Sequence, residues 1–167
     1  MRRAYPLLAT ALACAYLPAT TQAAPSVELN ATLTPERLGQ GTTIGFGFQI
    51  HTSTARVPPP LTEVTVSYPN NLGIALSGIG LATCTPSTLE QSGPDGCPSE
   101  SLMGYGTALA EIPIGPEVVR ELANVTLLRG PTEHGHLALL FYVDGETPVS
   151  AQLVLPGLLL PAAAPFG

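Results

Sequence analysis

Lysine is absent from the 167-residue chain, and six arginines stand against twelve carboxylates, for a formal charge of −6. Two of those arginines, Arg2 and Arg3, sit at the extreme N-terminus, so the cations left for a folded domain are Arg37, Arg56, Arg120 and Arg129. Such a surface repels a phosphate backbone and has no basic stripe interleaved with aromatics, which excludes nucleic acid as a partner. Tryptophan is missing too, and beyond the leader described below Tyr68, Tyr105 and Tyr142 are the only amphipathic aromatic platforms. No Gly-x-Ser-x-Gly elbow, Walker loop or His-Glu-x-x-His helix is present. The glycine pairs in "GIG" and "GYG" do not follow the strand-to-helix pattern of a dinucleotide site. Neither a cofactor nor an enzymatic activity is therefore expected.

What is present begins with an export signal. Residues 1–23 combine Arg2 and Arg3, an apolar segment from Ala4 to about Leu17, and the small residues Thr21 and Ala23, which places cleavage after Ala23. Ala11-Leu12-Ala13-Cys14 is a poor lipoprotein box, because the large Leu12 precedes the small residue and apolar residues continue past Cys14. The arginine pair lacks the flanking residues of a twin-arginine signal. Residues 24–167 then suit one domain with its own core, located outside the cell or on its surface. The ending, "PGLLLPAAAPFG", is too short and too broken by proline to span a membrane. Its apolar character, with no polar tail, suggests a domain that continues beyond Gly167.

Removal of the leader leaves two cysteines, Cys84 and Cys97, in a chain bound for an oxidising compartment, and they are expected to pair. Between them Thr85-Pro86 and Gly93 suit the start and end of a short helical turn, followed by a Pro-Asp-Gly turn.

Period-two alternation dominates the rest. Val27, Leu29, Ala31 and Leu33 alternate with polar partners, as do Ile44, Phe46, Phe48 and Ile50 with Gly45, Gly47 and Gln49. Further strands are expected in "TEVTVSYP" with Val64, Val66 and Tyr68, in the glycine-rich "LGIALSGIGLATC", in "MGYGTALAEIPIGP", in "LALLFYV" and in "VSAQLVL". The segment "EVVRELANVTLLRG" fits a helical face or a strand; its Asn-Val-Thr centre and the compact "GPTEHG" turn that follows favour a strand entering a hairpin. About eight short strands with almost no helix indicate an all-β fold, an antiparallel β-sandwich of immunoglobulin-like or related type.

His134 and His136 stand one residue apart at the head of an apolar run. On a continuous strand both imidazoles would share a face, and imidazole is the commonest metal ligand. Gly135 and the turn interrupt that alternation, His51 has no evident spatial link to the pair, and Glu133 is the nearest carboxylate. A metal site needs three or four convergent ligands, so the pair reads as a solvated turn and no metal is expected. The sequons at Asn30 and Asn124 matter only in a eukaryotic secretory pathway.

The runs "GLATC", "GCPSESLMGYGTALAEIP", "RGPTEHGHLALLFYVDGETPV" and "LVLPGLLLPAAAPFG" resemble a group of secreted actinobacterial proteins of unknown function. Cys97-Pro98, Ser101 and Gly104-Tyr105-Gly106-Thr107-Ala108 match the pattern that recurs there after an upstream cysteine, and the likeness covers most of the mature chain. The resemblance implies export, and chains that continue into further strands; it supplies no activity. The leading expectation is a secreted, non-catalytic domain with a structural or interaction role, its partner an extracellular protein or glycan. Behind it stand a carbohydrate-binding module that uses the tyrosines and, last, a metal-dependent enzyme built on His134 and His136.

Overall fold

The computed structural model describes residues 25–37, 39–51, 60–68 and 82–163. The leader with Cys14, and all but the end of the glycine-rich segment before Cys84, lie outside them. Strands β1 (Ser26–Thr34) and β2 (Thr43–His51) form an antiparallel hairpin. A short helix, α1 (Pro86–Ser92), is followed by two 3-10 turns and then by β3 (Leu102–Ile114), β4 (Glu117–Arg129), β5 (Leu137–Thr147) and β6 (Gln152–Leu159), an antiparallel meander in sequence order. The fold is thus mostly β, in two antiparallel sheets. Among the described residues no helix is long and apolar enough to cross a membrane.

The two alternating runs expected as strands pair with each other. The register sets Val27 opposite Ile50, Leu29 opposite Phe48, Ala31 opposite Phe46 and Leu33 opposite Ile44, which collects all eight apolar side chains on one face. That face is open: every residue of β1 is exposed, and Phe46 is 53% exposed. The ambiguous segment before Arg129 is strand β4, stabilised by ladders to β3 on one side and β5 on the other. β4 and β5 meet through a two-residue turn in which His134 (φ 49) and Gly135 (φ 82) both adopt left-handed backbone, closed by mutual bonds between Glu133 and His136. A turn with positive φ at both central positions matches the twist of the strands it joins. Pro113 and Pro156 sit in β3 and β6, the edge strands of the sheet, where a missing donor costs no central ladder bond.

Two expectations are corrected. Residues 60–68 form no strand despite the alternation of Val64, Val66 and Tyr68. Alternation requires a ladder partner to become a strand, and Leu61, Val64 and Val66 all remain exposed. The described residues therefore contain six strands rather than about eight. β5 runs past the apolar "LALLFYV" to Thr147, and Gly145 N–H donates to Ala151 O, at 2.8 Å.

The core lies on one face of the meander. Leu89 of α1, with no exposed surface, packs against Leu128, Leu140, Tyr142 and Cys84, with Cys97 and Val154 at the margin. The opposite face carries Val125 and Leu127 of β4, Phe141 and Val143 of β5, and Leu153 and Leu155 of β6. It is apolar as well, yet Leu153 is 55% and Leu155 50% exposed.

Candidate functional site

The segment from Cys84 to Ser101 lies over the core face as a capped, bridged loop. Thr85 adopts extended backbone and its hydroxyl accepts from Thr88 N–H at 3.2 Å, Pro86 opens the helix, and Gly93 (φ 64) closes it by donating to Leu89 O. Cys84 and Cys97 are disulfide-bonded, with Cα atoms 5.3 Å apart. Cys84 N–H donates to Arg129 O at the end of β4, so a backbone bond ties the loop to the sheet, while the disulfide closes the loop on itself. Ser101 is fully buried and donates to Pro98 O at 2.6 Å, which closes the last 3-10 turn and occupies its hydroxyl. Gly93 cannot be replaced freely: its φ is strained for any L side chain, and a Cβ would touch the Tyr142 hydroxyl at 3.4 Å.

Between this loop and the sheet runs an open groove in two adjoining parts of about 430 and 450 Å³, which share Pro94, Asp95 and Thr126 in their lining. The polar part takes Tyr142 and Asp144 from β5, Asn124 from β4 and Gln152 from β6, with Glu90 of α1 on the rim. Register explains the convergence: Thr126 pairs with Tyr142, Asn124 with Asp144, and Asp144 with Gln152, so these residues share the face that carries the core and continue it as a polar end. Gln152 Nε2 donates to Asp144 Oδ1 at 3.2 Å, and Asn124 Nδ2 donates to Glu146 Oε1, which orients both amides. The apolar part is walled by Pro98, Leu102 and Leu128 and ends at Tyr105, which is 91% exposed. Among the described residues, none that lines the groove is basic.

Tyr142 is only 6% exposed, and its pKa is pushed up, first by burial and then by the Asp144 carboxylate. Its hydroxyl stays protonated beyond the range in which a free tyrosine ionises, and remains a donor. The groove thus presents carboxylate acceptors, amide and hydroxyl donors, and one exposed ring.

Two of the three tyrosines singled out in the sequence, Tyr105 and Tyr142, come together on the groove, whereas Tyr68 lies in the irregular 60–68 segment and lines neither part. His134 lies at the exposed tip of the β4–β5 turn and His136 at its base, while His51 sits at the end of β2 with Nε2 3.5 Å from Glu28 Oε2. Among the described residues no three His, Cys, Asp or Glu side chains are grouped to hold a metal. Asn124, Thr126, Asp144 and Gln152 escaped the sequence reading; their alternation was visible, but the face the bridged loop covers was not. No family model, curated protein or solved structure matches the chain.

Proposed function

We propose that this protein is an exported, non-catalytic binding module whose groove takes a neutral oligosaccharide. One observation carries the reading: a 91% exposed tyrosine ring stands at the end of a groove lined by amides, hydroxyls and carboxylates, with no cation among the described residues. A pyranose offers an apolar face to stack on an aromatic ring and a rim of hydroxyls that both donate and accept. Asp95 and Asp144 accept from such hydroxyls, the Gln152 and Asn124 amides and the Tyr142 hydroxyl donate to them, and the carboxylates disfavour anionic ligands. Export itself rests on the leader and on the resemblance to secreted actinobacterial proteins.

A glycan array probed with the protein tests the reading. Neutral oligosaccharides are expected to bind, and Tyr105→Ala is expected to weaken binding about thirtyfold, the loss of one aromatic anchor of about 2 kcal/mol. Tyr105→Phe is expected to retain most of the affinity, because stacking needs the ring and not the hydroxyl. Binding unchanged in Tyr105→Ala, or an array with no neutral glycan bound, rejects it.

The sandwich belongs to the same proposal, with the apolar face of the β1–β2 hairpin covering the outer apolar face of the meander. Both faces are strand-built and apolar, and neither is fully covered: Phe46 is 53% exposed on one and Leu153 55% on the other. Phe48, opposite Leu29 in the hairpin register, decides the matter. In a closed sandwich Phe48→Asp is expected to cost about 3 kcal/mol in denaturant unfolding, by burying an unpaired charge. A solvated hairpin would change by less than about 0.5 kcal/mol.

A further inference from the structure

Tyr142 of β5 is 6% exposed and packs in the cluster with Leu89, Leu128 and Leu140, yet it also lines the polar part of the groove. A tyrosine that buries its ring ordinarily finds a partner for its hydroxyl. Among the described residues this hydroxyl has none. Gly93 of the bridged loop passes close by but offers it no bond to spare, because its N–H is given to Leu89 O and its carbonyl accepts from Gly96 N–H. Asp144 stands two residues further along β5 and therefore on the same face. Its Oδ1 accepts from Gln152 Nε2 at 3.2 Å, and its Oδ2 makes no hydrogen bond among the described residues.

The groove thus offers a ligand an unpaired donor and an unpaired acceptor on neighbouring same-face positions, whose Cβ atoms lie roughly 7 Å apart along a strand. Pro94, which lines both parts, adds an apolar surface beside them. A ligand ammonium satisfies Asp144 but has nothing to accept the Tyr142 proton. A ligand carboxylate satisfies Tyr142 and is repelled by Asp144. A sugar hydroxyl can serve either group, but it carries donor and acceptor on a single atom. A secondary amide carries its N–H and C=O on opposite sides of one plane and can bridge two groups that do not touch. We infer that the oligosaccharide of this groove contains an N-acetylhexosamine, whose acetamido carbonyl accepts from the Tyr142 hydroxyl, whose N–H donates to Asp144 Oδ2 and whose methyl meets Pro94. The inference rests on the oligosaccharide reading of the groove and adds the class of sugar.

Matched glycans on the array test it: N-acetylglucosamine against glucose oligomers, N-acetylgalactosamine against galactose oligomers, and the deacetylated forms of both amino sugars. The acetamido members are expected to bind about tenfold more tightly than their hydroxyl counterparts, which is the scale of one well-made hydrogen bond. Tyr142→Phe is expected to fold with an unchanged Tm, having no hydrogen bond to lose. It should bind the acetamido members about tenfold more weakly while the hexose members stay within about twofold. Asp144→Asn, which can still accept from Gln152 but turns an N–H toward the ligand, is expected to lose the same preference. Equal affinity for acetamido and hydroxyl members, a preference for the deacetylated forms, or an acetamido preference that survives Tyr142→Phe overturns the inference. Hexose binding that still depends on Tyr105 would then leave the oligosaccharide reading standing, whereas an array with no neutral glycan bound rejects both.

Discussion

Replacing Cys84 and Cys97 together by serine is expected to destabilise the protein by about 3 kcal/mol, read from chemical denaturation of the oxidised protein and the double variant. The bridge closes a loop of sequence separation 13, for which the chain-entropy relation gives about that figure. Packing adds to it, because Cys84 is 1% exposed and forms part of the cluster around Leu89. The effect is also local. A seven-residue helix is far below the length at which an isolated helix holds in water, so α1 depends on its tether. Amide exchange in α1 is expected to accelerate in the double variant more than exchange in β4 and β5. Equal stabilities within about 0.5 kcal/mol would show that backbone bonds such as Cys84 N–H to Arg129 O hold the loop alone.

Leu89→Ala is expected to cost about 2–5 kcal/mol, the range for emptying a fully enclosed leucine site. Leu89 is the only buried residue of α1 and the only side chain by which the helix enters the core. Its loss removes transfer energy and leaves a cavity under the helix that Leu128, Leu140 and Tyr142 cannot fill, being held by their ladders. Leu122→Ala on β4 provides the contrast: at 45% exposed, its truncation is expected to cost less than about 1 kcal/mol. Similar losses at the two sites would mean that the cluster around Leu89 is not the centre of the fold.

Local chemistry was legible in the sequence wherever it sufficed. Thr85, Pro86 and Gly93 mark the ends of α1 by their own capping preferences, and the structure uses all three. The alternation at Val27–Leu33 and Ile44–Ile50 yields the hairpin because the two runs are neighbours that can pair with each other. The same alternation at Val64–Tyr68 misleads, because a strand is a property of two segments and no ladder is formed there among the described residues. The groove was hidden for a related reason. Thr126 and Asp144 read as the polar alternates of half-buried strands, and only the long-range bond from Cys84 to the end of β4 determines that the bridged loop shelters their face. Tyr105 and Tyr142 were visible as platforms, but their place on one face, on either side of Thr126, depends on the β3–β4–β5 register.

The binding groove is tested most directly by mapping where an array-selected oligosaccharide protects or shifts backbone amides in a titration followed by nuclear magnetic resonance. Perturbations are expected at Gly93 and Asp95 on the loop, at Tyr105 on β3, at Thr126 on β4 and at Tyr142 and Asp144 on β5, with the His134-Gly135 turn unchanged. Perturbations confined to the β1–β2 hairpin or to the His134-Gly135 turn, with the groove silent, would contradict it.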